Sequence, residues 1–320
     1  MKKVMLLIVM MISLVTLYGC SAYEIEYTNN DAFQIEMKGE EVKILQVTDL
    51  HLAYGIDDYD NQTLKLIGDM AKADDYDLIV ISGDLAMSPI APILFTKILN
   101  YMESLEIPWT FVFGNHETDF NDYSEFISRI KNTEYLYFKV GPEIVDGGYG
   151  NFKIEFMKDN QVFYNAYFMD SKTEELEYTE EQGEYGYLST GQVAWYEDFV
   201  STDTVDSVVF MHIPLRQYIV DPVDDADLYV GIFEESMVFA QGIDTGFYDA
   251  MVTYNKSKAV FVGHDHKNDF YIITDDDILL AYGRATGYNG YGTLEKGGRH
   301  IEISETGVLS TRIIIESEVR

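Results

Sequence analysis

The sequence predicts an α/β domain, and three observations carry that prediction. Val42 to Val47 (VKILQV), Leu78 to Ser82 (LIVIS) and Trp109 to Phe113 are short apolar runs rich in β-type residues. Between them, apolar residues recur at helical spacing. Each run leads directly into a polar residue that can do chemistry: Asp49, Asp84 and Asn115. Solid apolar runs mark strands buried on both faces, the mark of a parallel sheet covered by helices. In such sheets functional groups gather in loops beyond the carboxyl ends of the strands.

The first nineteen residues are set apart from the fold. Lys2 and Lys3 form a basic start, Val4 to Leu17 is an apolar run too short to span a bilayer comfortably, and Leu17-Tyr-Gly-Cys20 resembles the lipobox of bacterial lipoprotein precursors. The expectation is a signal peptide over residues 1–19, cleavage before Cys20 and lipidation of its thiol. That would place the protein outside the cytoplasm, anchored to a bacterial membrane. An ordinary signal peptide with an incidental cysteine is the duller reading. Cys20 is the only cysteine, so the mature chain forms no internal disulfide and offers no thiolate metal ligand. Residues 20–40 read as a polar tether, and residues 41–320 as one domain without repeats or a long linker.

Within that domain the elements follow in order. Asn61 to Ala73 places Leu64, Leu66, Ile67 and Met70 at helical spacing, and Pro92 to Leu105 reads as a second helix. Phe152 to Phe156 and Gln161 to Met169 read as antiparallel strands. Thr173 to Tyr187 is acidic, bears tyrosines and lacks periodicity, so a surface loop is expected. Ser189-Thr-Gly-Gln192 fits a capping box opening a helix through Val200. Asp206 to Met211 and Lys258 to Val262 are strands delivering His212 and Gly263-His264. Phe270 to Thr274, Ile278 to Tyr282 and residues 299–316 alternate as an antiparallel sheet would.

A formal charge of −33 repels polyanions, so a nucleic-acid polymer is not an expected partner. The same charge would oppose a phosphorylated substrate unless cations bound in a cleft outweigh it locally. Five of the six histidines fall in Asp49-Leu-His51, Gly114-Asn-His-Glu117, Met211-His-Ile213 and Gly263-His-Asp-His266, each behind a β-type run, with Gly83-Asp84 between the first two. Taken singly, each histidine could be structural and each aspartate a helix N-cap. Together, carboxylate, imidazole and amide oxygen make a site for divalent metals.

This ordered set resembles the signature of calcineurin-like metallophosphoesterases. Gly263-His-Asp-His-Lys-Asn-Asp269 and Tyr282-Gly-Arg-Ala-Thr-Gly-Tyr288 are similar to the branch related to purple acid phosphatases. The resemblance implies two facing mixed sheets flanked by helices, an αββα sandwich with the site at one edge. It also implies two divalent ions, of manganese, iron or zinc. One would be held by Asp49, His51, Asp84 and His266, the other by Asp84, Asn115, His212 and His264. Asp84 bridges them, because two nearby cations need a shared carboxylate. The implied reaction is hydrolysis of a small phosphate mono- or diester by metal-bound hydroxide. His116 would be the general acid and Glu117 its orienting partner or that of a nearby ligand.

Arg284 could clamp a phosphate or be a plain surface arginine. Asp265 reads as a loop residue near the site, Asn268 and Asp269 as braces of the histidine loop or simple turn residues, and His300 as structural. Purple acid phosphatases carry a tyrosine three residues after the bridging aspartate. Met87 stands there instead, so a ferric chromophore is not expected. Two other readings compete: a surface-anchored binding protein with a structural metal site, and a small-nucleotide phosphodiesterase or nucleotidase. Tyr54 to Asp60, Thr173 to Tyr187 and Tyr282 to Tyr291 are the loops expected to line the cleft.

Overall fold

A computed structural model describes residues 23–54, 58–175, 177–179 and 182–320. The leader over 1–19 and Cys20 lie outside this range.

The expected parallel start is present. Strands β2 (Val42–Val47), β3 (Leu78–Ser82) and β4 (Trp109–Val112) pair in parallel. Helices α1 (Tyr59–Ala71) and α2 (Ala91–Glu103) return the chain between them. Each strand is buried on both faces, as its unbroken apolar run requires. Ile44 and Val80 point to the centre of the molecule. Their neighbours Leu45 and Ile79 pack with Leu64, Ile67 and Phe95 of α1 and α2. Two C-terminal strands, β12 (Gly297–Ile303) and β13 (Leu309–Ile315), complete a five-stranded sheet in the order β13-β12-β2-β3-β4, with β12 antiparallel to β2.

The second sheet has eight strands. Hairpin β5 (Phe152–Lys158) and β6 (Gln161–Phe168) is antiparallel, as expected. Next come β7 (Ser207–Phe210), β8 (Tyr229–Val230), β9 (Ser257–Val262), β10 (Tyr271–Ile273) and β11 (Leu279–Tyr282). With β1 (Phe33–Glu36) the order is β1-β5-β6-β7-β9-β11-β10-β8. Helices α4 (Thr190–Val200) and α5 (Phe247–Tyr254) cover its outer face, where Tyr167, Val209 and Val260 meet Tyr196, Phe247 and Met251. A short α3 (Tyr123–Ile127) lies on the first sheet's side, and α6 (Glu316–Val319) ends the chain. The predicted capping box opens α4: Ser189 Oγ accepts from Gln192 N at 3.1 Å and Gln192 Oε1 from Ser189 N at 2.9 Å.

Between the sheets, Ile44, Val80 and Val112 face Phe168, Phe210 and Phe261. Phe210 is the middle ring of a stack, 5.3 Å from Phe168 and 5.3 Å from Phe261. This is the helix–sheet–sheet–helix sandwich.

Two expectations are corrected. The tail is not one antiparallel sheet: β11 runs parallel to β9 in the large sheet, while β12 and β13 cross to the small one. Alternation along a strand records its own two faces and is silent on its neighbours. The tether also docks earlier than expected. Ile25 packs on the core, Thr28 N donates to Gly141 O at 2.8 Å, Trp195 Nε1 donates to Asn30 Oδ1 at 3.1 Å, and β1 joins β5 in parallel. A four-residue strand burying only Ile35 is too short to show a period.

Candidate dinuclear metal centre

Each site residue stands at or just past the carboxyl end of a strand. Asp49 and His51 follow β2, Asp84 follows β3 and Asn115 follows β4, while His212 follows β7 and His264 and His266 follow β9. The turns that aim them are tight. Asp49, His51, Asp84 and His264 all have positive φ, at 53°, 45°, 52° and 81°. Left-handed backbone at non-glycine residues stores strain and clusters at functional sites. Glycine is required beside them. A Cβ at Gly83 would sit 2.3 Å from His212 Nδ1, and one at Gly114 would sit 2.2 Å from Asp84 Oδ1.

The first predicted ligand set converges. Ligand atoms of Asp49, His51, Asp84 and His266, all buried, lie within 4.8 Å of one another. His51 Nε2 is 3.2 Å from Asp84 Oδ2, His266 Nε2 is 3.3 Å from Asp49 Oδ1, and the two Nε2 atoms are 3.0 Å apart. The second set meets it at the same oxygen. His212 Nε2 is 3.3 Å from Asp84 Oδ2, and Asn115 Oδ1 lies 3.1 Å from His212 Nε2 and 3.0 Å from His264 Nδ1. Asp84 Oδ2 thus lies beside ligand atoms of both sets.

The donor chemistry fits cations. His212 Nδ1 donates to Ser82 O at 2.8 Å, which directs Nε2 at the centre, where a cation would displace its proton. Burial holds His264 down to about 3, helped by the charge of His212, so its imidazole is neutral, the ligating form. Burial opposes ionisation of Asp84, yet His212 and His51 hold it well below the usual carboxylate range. Burial likewise disfavours charge on His212, but Asp84 beside it raises that ring to about 10. The same attraction serves a divalent cation.

Of the two tasks expected of Glu117, the structure favours bracing nearby ligand residues over orienting His116. Fully buried, its carboxylate accepts from Gly114 N at 2.6 Å and Leu85 N at 2.5 Å, tying the Asn115 loop to the Asp84 loop. Burial and the charge of Asp84 raise it to about 7. The partner of His116 is Asp119, whose Oδ2 lies 2.8 Å from His116 Nδ1. Burial lowers the pKa of His116, but Asp84 and Asp119 outweigh it and the net shift is upward. Asp119 could have been found from its position three residues after His116, but it lies outside the motif.

Arg284 corrects another expectation. It is buried away from the site, its Nε donating to Asp269 Oδ2 at 3.0 Å and its Nη1 to Glu295 O at 3.1 Å. A guanidinium so occupied is not free to clamp a phosphate; it braces the loop that holds Asp269. Asp265 Oδ2 accepts from Tyr282 Oη at 2.7 Å and Phe239 N at 3.2 Å, and Asn268 accepts from Glu235 N at 3.2 Å. His300 lies on β12, its Nδ1 3.2 Å from Tyr76 Oη, in a structural role.

The centre floors a cavity of about 470 Å³ bordered by His51, Asp84, His116, His264 and His266. Met87, Tyr185, Glu235, Phe239 and Tyr291 also line it. The acidic loop over 173–187 is therefore more than surface, because Tyr185 packs edge-on to His264 at 4.3 Å. Of the loop over 54–60, Asp60 serves as a brace, accepting from Ala53 N at 3.1 Å and Asn289 Nδ2 at 2.8 Å. Glu235 and Phe239 come from an irregular stretch after β8, where no motif marks them.

An αββα sandwich with oxygen and nitrogen donors converging at one edge defines a metallophosphoesterase architecture. Residues 42–268 match the family model for calcineurin-like phosphoesterases, and the chain belongs to that family. It is similar to "Probable inactive purple acid phosphatase 14" of Arabidopsis thaliana, 27% identical over 297 residues that cover 78% of this chain and 71% of the relative. It is also similar to "Phosphatase DCR2" of Saccharomyces cerevisiae, 26% identical over 279 residues, 75% of this chain and 47% of that one. A purple acid phosphatase from yellow lupin seeds shares the fold with a TM-score of 0.52 at 12% identity, covering 88% of this chain and 52% of that one.

Proposed function

We propose that the chain is a dinuclear metal-dependent phosphoesterase that hydrolyses a small phosphate mono- or diester, with His116 as general acid. The observation that carries this reading is the sharing of Asp84 Oδ2 between His51 at 3.2 Å and His212 at 3.3 Å, at the floor of an open cavity. Asp49, His51, Asp84 and His266 would hold one divalent ion; Asp84, Asn115, His212 and His264 would hold the other. Such a pair supplies a nucleophilic hydroxide near neutral pH and neutralises phosphoryl charge. The residues do the rest. Asp84 keeps the two halves together, Glu117 fixes the loops carrying Asp84 and Asn115, and Asp119 orients His116. His116 donates its proton to the leaving alkoxide, a role contributing on the order of 10²–10⁴-fold.

The test is hydrolysis of p-nitrophenyl phosphate and bis-p-nitrophenyl phosphate with manganese, iron(II) or zinc, paired with elemental analysis. Turnover needing about two ions per chain is the expected result; two bound ions without turnover of any ester would favour the second reading. That reading, a metal-binding protein without turnover, is motivated by the word "inactive" in the name of the Arabidopsis relative. Against it, every proposed ligand and His116 are in place here. Attachment to a membrane through lipid on Cys20 is part of the proposal, tested by whether Cys20→Ser releases the protein into the soluble fraction.

A further inference from the structure

Met87 lies in the stretch between β3 and α2, three residues after Asp84, and has no part in the chemistry above. Its main chain is held at three points. Met87 N donates to Leu52 O at 3.1 Å, Ala86 N to Glu117 Oε1 at 3.4 Å, and Asn121 Nδ2 to Ser88 O at 3.0 Å. Glu117 and Asn121 both belong to the stretch between β4 and α3 that carries His116. Met87 therefore sits between two ties to the loop of the general acid, and it borders the same cavity as His116.

Its side chain is placed differently from its neighbours. Ala86 and Ser88 are buried, whereas Met87 is 40% exposed. A long apolar side chain on a fixed main chain, lining a cavity, offers its surface to whatever fills that cavity. Methionine suits the task, because its unbranched thioether adapts to many shapes and makes favourable contacts with aromatic rings. Ala53, next to the Leu52 carbonyl that Met87 N reaches, lines the cavity too and adds another apolar side chain there. In the proposed reaction the leaving alcohol must lie against His116 to receive its proton. The part of the ester that meets Met87 is then the alcohol, not the phosphate at the ions.

We propose that Met87 is a specificity-determining residue, favouring phosphoesters of apolar aromatic alcohols over those of small polar alcohols. This rests on the phosphoesterase reading above. A polar alcohol placed against the thioether would lose water and gain no hydrogen bond from it, while an aromatic ring would bury apolar surface on both partners.

The test compares kcat/KM for benzyl phosphate and 2-hydroxyethyl phosphate on the full, detergent-solubilised chain loaded with manganese. Their alcohols are similar in acidity, so the ratio reports contacts with the alcohol portion more than ease of bond breaking. Benzyl phosphate should lead by ~10–100-fold in the wild type. In Met87→Ala and Met87→Gln that ratio should fall by ~3–10-fold, whatever happens to the absolute rates. Met87→Leu, which keeps an apolar side chain of similar volume, should hold the ratio to within about twofold. A wild-type ratio near unity, or one kept in both Met87→Ala and Met87→Gln, overturns the role of Met87 while the phosphoesterase reading stands. An equal fall in Met87→Leu also overturns it, since the effect would then come from the loop and not from apolar contact. Absence of turnover on both esters and on p-nitrophenyl phosphate overturns both readings.

Discussion

The two sheets bring different atoms to their common edge. The small sheet supplies the oxygens of Asp49, Asp84 and Asn115 together with His51, whereas the large sheet supplies only the imidazoles of His212, His264 and His266. The difference follows from strand order. In the row β2-β3-β4, neighbouring strands are about 4.8 Å apart, so three short side chains at corresponding ends stand in a line. Asp84 follows the middle strand and has Asp49 on one side and Asn115 on the other. That is why it, and neither neighbour, is the residue proposed to bridge the ions. Sheets stack about 10 Å apart, so the partners must reach across a gap, and longer imidazoles do so. Neither sheet makes the centre alone.

The sharpest way to break this account is at the middle strand. Asp84→Ala should remove both ions and lower turnover by at least about 10³-fold, since charge neutralisation worth several kcal/mol is lost. By contrast, His51→Ala and His212→Ala should each cost one ion per chain, read by elemental analysis. Equal loss of both ions from His51→Ala would contradict the division into two halves. Next in size is the packing that sets the gap. Phe210→Ala should destabilise the fold by ~3–5 kcal/mol in a urea titration, and metal affinity should weaken with it because the sheets no longer meet at a fixed spacing.

Glu117→Gln should lower metal affinity about 10–100-fold while leaving the fold intact. Unchanged affinity would mean that the tie between the Asp84 and Asn115 loops is dispensable. Smallest of all, Asp119→Asn should reduce kcat by roughly tenfold or less with little change in bound metal, because it acts only through His116. A loss of metal in that variant would place Asp119 in the cage instead.

The cluster of Asp49, His51, Asp84 and His266 was legible because its residues sit behind strands that declare themselves. VKILQV, LIVIS and the run before Asn115 mark strand ends, and the metal chemistry restricts what can stand there. What escaped was set by packing between segments distant in sequence. Glu117 was expected to orient His116 or a nearby ligand, and only the fold decides between them, turning it toward Gly114 and Leu85. Arg284 was expected to clamp a phosphate or to lie at the surface, but Asp269 took its guanidinium in the interior. Glu235 and Phe239 lie in an irregular stretch with no period to read, and only the folded cavity brings them beside Tyr185, whose loop was expected at the cleft. The strand Phe33–Glu36 was hidden by its length.

Gly83 and Gly114 press main chain so closely on His212 and Asp84 that no methyl group fits between. Mutational freedom around the centre is therefore lopsided. On its inner side even alanine would dislodge a donor, so variants that retune the ions by adding bulk are closed to this scaffold. Tyr185 and Tyr291, by contrast, meet His264 and His266 through side-chain rings, where a change of shape forces no main-chain clash. A lineage built on this chain could hold its reaction constant while changing the molecules it accepts.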